Sequence, residues 1–87
     1  MPVIYCYLSM FDYEQSIYVN DAGSAHLLAK VPLTDIGKAI PELCNSKGIY
    51  DVVLSCPVPG MAQQCKEKIE EEEVKRYSTT KINVSIM

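Results

Sequence analysis

The sequence predicts a single α/β domain in the order β-β-β-α-β-α-β, with a mixed five-stranded sheet and two helices. Three observations carry this. An almost unbroken apolar run, Val3-Ile4-Tyr5-Cys6-Tyr7-Leu8, opens the chain. Two more short β-type runs follow it, separated by turn residues. After Pro32 the pattern changes to helix, strand, helix, strand. With 87 residues the chain has room for one domain spanning 1–87.

The first run is short and rich in β-branched and aromatic residues, which fits a strand buried on both faces and therefore central. Phe11-Asp12-Tyr13-Glu14 makes a polar break. Ser16 to Val19 reads as the second strand and Ser24 to Val31 as the third. Between them, Asn20-Asp21-Ala22-Gly23 has the residue types that accept positive φ and local side-chain hydrogen bonds. Such short breaks favour an antiparallel meander.

Thr34 and Asp35 are N-cap residues for a helix whose apolar face is Ile36, Ile40, Leu43 and Cys44. Pro41 is expected to kink that helix or divide it, and Gly48 to stop it. Tyr50 to Ser55 reads as a buried parallel strand, followed by a stiff Pro57-Val58-Pro59-Gly60 loop. Met61 to Arg76 has the strongest helical pattern, with Met61, Ala62, Cys65 and Ile69 as its stripe. Ile82, Val84 and Ile86 alternate with Asn83 and Ser85 in a last, edge strand.

Right-handed crossovers through the two helices place strands four and five parallel to the first, with the first between strands two and four. This order of elements resembles the ribonuclease H-like core, which the actin-like ATPases also use. A nuclease of that kind needs carboxylates converging on divalent metal. The resemblance implies acids on the first strand, on the first helix and at the end of the fourth strand. Here the nearest are Asp12, beyond the first strand, and Glu42 on the helix, while Ser55-Cys56-Pro57 ends strand four. A minimal metal-dependent nuclease using Asp12 and Glu42 is thus a minor alternative. An ATPase of the actin type needs glycine-rich phosphate turns, and Met10 to Gln15 contains no glycine.

Composition argues against several other functions. The net charge of −3 supplies no basic face for nucleic acid and no attraction to anionic membranes. No apolar run nears the roughly 18 residues of a membrane span. The start of the chain lacks the pattern of a secretory leader, so the expected location is cytoplasmic. Cys6, Cys44, Cys56 and Cys65 fall in or beside predicted elements and read as reduced core residues. The Asn83-Val84-Ser85 sequon is discounted on the same ground. One histidine, His26, and dispersed cysteines give no metal-ligand spacing, so neither metal nor cofactor is expected.

Three features are candidates for function. Cys56 follows a parallel strand and precedes a helix, where α/β sheets bind ligands. A crevice at Ser9, Cys56 and Gly60 would hold an anion, a small molecule or a reactive thiol. The plainer reading is a small residue fitted before a proline. Lys66 to Arg76 is highly charged, with Glu71–Lys75 and Glu72–Arg76 at supporting spacing. Glu70, Glu71 and Glu73 would form an acidic docking face, or simply a solvated one. Tyr5, Tyr7 and Tyr18 would line one sheet face. Two helices cover a five-stranded sheet only partly, so an exposed apolar region is expected. The function expected from all of this is non-catalytic: protein binding or self-association, with a homodimer as one form.

Overall fold

The computed structural model describes residues 1–58, 60–76 and 81–87. Pro59, in the predicted stiff loop, lies outside the described residues. Five strands form one sheet: β1 (Val3–Tyr7), β2 (Glu14–Asp21), β3 (Ser24–Pro32), β4 (Asp51–Ser55) and β5 (Asn83–Ile86). A 3-10 turn (Leu33–Asp35) leads into α1 (Ile36–Lys47), and α2 (Met61–Lys75) joins β4 to β5. The strand order is β3-β2-β1-β4-β5. β1 is central, antiparallel to β2 and parallel to β4, which is parallel to β5. This is the order and mixed pairing that the sequence predicts.

Both crossovers, β3 to β4 and β4 to β5, move the same way across the sheet. Right-handed connections then put both helices on one face. Ile4, Cys6 and Leu8, Ile17, and Val52 and Leu54 point to that face and are fully buried against Ile36, Ile40 and Cys44 of α1 and Ile69 of α2. The core is therefore one layer between the sheet and a helix pair.

The opposite face corrects the expectation that β1 is buried on both sides. Val3 and Tyr5 are half-buried and Tyr7 is exposed, because no helix lies over them. Val53 of β4 is half-buried for the same reason. β2 is longer than predicted, because Glu14 and Gln15 pair with Pro32 and Val31. The hairpin turn narrows to Ala22 and Gly23, with φ of 50° and 82°. Positive φ at both central residues is the two-residue geometry that matches strand twist.

β3 carries a bulge. Ile17 faces Ala29, but Tyr18 faces Leu27, so Leu28 is the extra residue.

Pro41 neither kinks nor divides α1, which runs unbroken from Ile36 to Lys47 with Pro41 buried inside it. One turn before it, Gly37 lies on the flank facing α2, where an added Cβ would stand 3.0 Å from Lys68 Cβ. Asp35 makes no side-chain cap hydrogen bond. The 3-10 turn holds its backbone near φ −100°, ψ −2°, so the residue lacks the extended backbone that turns a cap side chain back to the first turn. Gly48 ends the helix in the left-handed conformation, as predicted, and donates its N–H to Cys44 O at 2.8 Å.

Candidate functional site

The carboxyl ends of β1 and β4 lie together, since the two strands are parallel and Leu8 N–H reaches Ser55 O at 2.8 Å. An open hollow of about 300 Å³ lies here, lined by Met10, Leu33, Val58, Gly60, Met61 and Gln64. Of the three predicted crevice residues, Gly60 lines it. Ser9 and Cys56 do not, because each serves its own loop. Ser9 Oγ accepts the Phe11 N–H at 3.3 Å, and Cys56 Sγ accepts the Val58 N–H at 3.4 Å. Among the described residues, no charged side chain lines the hollow, so these walls offer an anion no cationic partner.

The other thiols are core atoms. Burial pushes Cys6 up to about 12, with the neighbouring Cys65 adding to the shift. Burial likewise pushes Cys44 up to about 11, helped by the charge of Glu73. Cys65 is also raised, by burial, against the lowering effect of Lys68. All three are protonated at neutral pH, which fits their predicted role as small core residues.

The acids of the nuclease alternative are not brought together. Asp12 is exposed in the β1–β2 loop at the carboxyl end of the sheet. Glu42 lies about 9 Å along α1 from Ile36, in the opposite direction, and pairs with Arg76 at 3.2 Å. Among the described residues, no three His, Cys, Asp or Glu side chains are placed to share a metal ion.

On α2, Glu70 and Glu71 are exposed. Glu73 is engaged instead: its Oε1 accepts the Ile82 N–H at 2.7 Å and ties the start of β5 to the helix. Lys75 pairs with Glu72 at 3.7 Å, and Arg76 reaches across to α1, so neither expected i,i+4 pair forms. His26 is exposed on the edge strand β3.

The tyrosines are brought together. Tyr5 stands opposite Tyr18 on one side and Val53 on the other, and Tyr18 stands opposite Leu27. Cross-strand partners share a face, so Leu27, Tyr18, Tyr5 and Val53 form a continuous row across four strands. Tyr7 sits one row along, opposite Ser16 and Ser55, and Val3 one row the other way, opposite Asn20. Tyr7 is 47% exposed and Leu27 51%.

Two features escape sequence reasoning. Phe11 and Tyr13, in the stretch read as a polar break, are 93% and 83% exposed beside Met10, where they rim an open hollow of about 610 Å³. Gln15 is fully buried and clasps that loop. Its Oε1 accepts the Ser9 N–H at 2.6 Å, while its Nε2 donates to Ser9 O at 2.9 Å and Asp12 O at 3.0 Å. A glutamine three residues beyond an Asp in a tight strand connection was the available signal.

The fold and surface together define a two-layer α/β domain with a bare, tyrosine-rich sheet face. No protein-family model matches the chain, and no curated protein matches its sequence. No helix among the described residues is long and apolar enough to cross a membrane.

Proposed function

We propose that this chain is a small non-catalytic binding or assembly domain that works through the bare face of its sheet. One observation carries the reading. Both helices pack on the same side, leaving Val3, Tyr5, Tyr7, Tyr18, Leu27 and Val53 uncovered on the other. Tyrosine tolerates water through its hydroxyl and gains from burial through its ring, so such a face can be wet when free and dry when bound. The partner is a protein or a second copy, rather than nucleic acid or a membrane surface. The net charge of −3 supports that choice. A cytoplasmic setting is part of the same reading, supported by four free cysteines.

The test immobilises the chain in native cell extract and, in parallel, measures its own association by light scattering. A protein or second copy held by the wild type and lost by the Tyr5→Ser/Tyr18→Ser variant, with the circular dichroism spectrum unchanged, supports the face. Binding that survives those substitutions overturns it.

A further inference from the structure

The bare face has a charge pattern of its own. Lys30 stands opposite Ser16, in the row of Tyr7 and Ser55, at the carboxyl end of edge strand β3. Its place on this face depends on the bulge. Leu27 and Lys30 are three residues apart and would point to opposite sides of a regular strand, but Leu28 is the extra residue between them. At the other corner is Asp51, first residue of β4, beside Asn83, whose Nδ2 donates to its Oδ1 at 3.3 Å. Val52 is buried on the helix side, so its neighbour Asp51 faces the bare side. Between the corners lie Leu27, Tyr18, Tyr5 and Val53, all uncharged. Glu14 lies one row beyond Lys30, opposite Pro32, at the rim.

We infer that the occupant of this face is a second copy of the chain, packed face to face about a two-fold axis with Lys30 of each copy against Asp51 of the other. The inference rests on the reading that the tyrosine face is the contact surface. Lys30 and Asp51 are three strand spacings apart across the sheet, about 14 Å, and four residues apart along it, about 13 Å. The midpoint of that diagonal falls between Tyr5 and Tyr18. A two-fold axis there, perpendicular to the diagonal and in the plane of contact, sets both Lys30–Asp51 pairs at once, as an isologous interface requires. The same axis stacks the Tyr5–Tyr18 pairs of the two copies at the centre. Because the diagonal lies near 45° to the strands, the two sheets cross at close to a right angle, one of the two ways in which sheets pack. There is room for the contact. The molecule is a slab of 34 × 30 × 20 Å with 5380 Å² of surface. One broad side of such a slab is about 1,000 Å², against the roughly 800 Å² that each partner gives to a standard interface.

Charge reversal tests this by sedimentation velocity on the full chain. The wild type is expected to dimerise. K30D and D51K each place like charges together twice per dimer and are expected to weaken association at least about tenfold. An equimolar mixture of K30D with D51K restores opposite charges at both contacts and is expected to recover a dimer, as is the K30D/D51K double variant. A dimer indifferent to both reversals, or one that the mixture does not rescue, overturns the inference. So does a wild-type monomer. If that monomer still holds a protein from extract that Tyr5→Ser/Tyr18→Ser releases, the binding face stands and only the second copy is lost. If it holds none, both are lost.

Discussion

Gln15 and Ser9 grip each other in both directions: the side-chain oxygen of Gln15 accepts the Ser9 N–H, and its amide returns a hydrogen bond to the Ser9 carbonyl. Ser9 lies just past the end of β1, and Gln15 is the second residue of β2. The clasp sets the loop that carries Met10, Phe11 and Tyr13 outward.

Removing it is expected to be costly. Gln15→Leu fills similar volume but leaves Ser9 and Asp12 backbone groups without the partners they have now. Such a loss costs about 2–3 kcal/mol. Urea unfolding gives the magnitude, and amide exchange at Ser9 locates it. An unchanged midpoint with Ser9 still protected would show that the clasp is dispensable.

Ala22 is the next test. Its φ of 50° is a conformation that L-residues other than Asn and Asp avoid. Ala22→Asn keeps the turn and relieves the strain, so stability should rise by about 0.5–1 kcal/mol. Thermal melting reads this directly, and a lower midpoint would contradict the hairpin geometry.

Gly37 marks the closest approach of the two helices. A side chain there meets Lys68 Cβ at 3.0 Å and the Lys68 backbone at 3.4 Å, which a rotamer change cannot relieve. Gly37→Val is expected to lose about 2–3 kcal/mol through overpacking. Lys68→Gly, which removes the Cβ it strikes, should return part of that loss in the double variant.

The buried thiols predict an alkaline limit. Cys6 and Cys44 ionise near 12 and 11 in the folded chain, against an ordinary 9.0. Unfolded chains therefore give up these protons first, and the folded state binds more of them between those values. Their contribution to stability is complete below pH 9 and is lost as pH rises through 11 and 12. Chemical denaturation across that range should show a falling limb. Cys6→Ala and Cys44→Ala should flatten it.

Much of this fold is legible in the sequence because its strongest signals are local and agree with one another. Val3 to Leu8, the Ile36–Ile40–Cys44 face and the Met61–Ile69 stripe each specify an element, and right-handed connections leave few ways to join them. Tyr5 and Tyr7 were misread in one respect. Counted as apolar, they made β1 look buried on both sides, although their rings and hydroxyls suit a half-covered surface. The side taken by the helices was in principle readable, since both crossovers step in the same direction. Pro41 failed as a breaker because its ring is fully buried within α1, and tertiary burial outweighed local preference.

The candidate site was legible in part. Alternation along β1 put Tyr5 and Tyr7 on one face, and the predicted neighbour β2 brought in Tyr18. Lys30 was not readable as a member of that face. Alternation counted from Leu27 sends it to the other side, and nothing in Leu27-Leu28-Ala29-Lys30 announces an extra residue. Ser9 and Cys56 lie near the strand ends, as expected of them, but local hydrogen bonds claim their side chains.

The bulge at Leu28 divides β3 into two segments of opposite parity. Upstream of it, odd-numbered residues share the tyrosine side; downstream, even-numbered ones do. The Ala22–Gly23 turn fixes the upstream segment, so a β3 of the same length without the bulge, in which Leu28 paired with Ile17, would put the downstream segment back in phase with it. Lys30 would then move to the side of the helices and Ala29 would take its place. One residue, contributing no chemistry of its own, thus decides which charge the open side of the sheet displays.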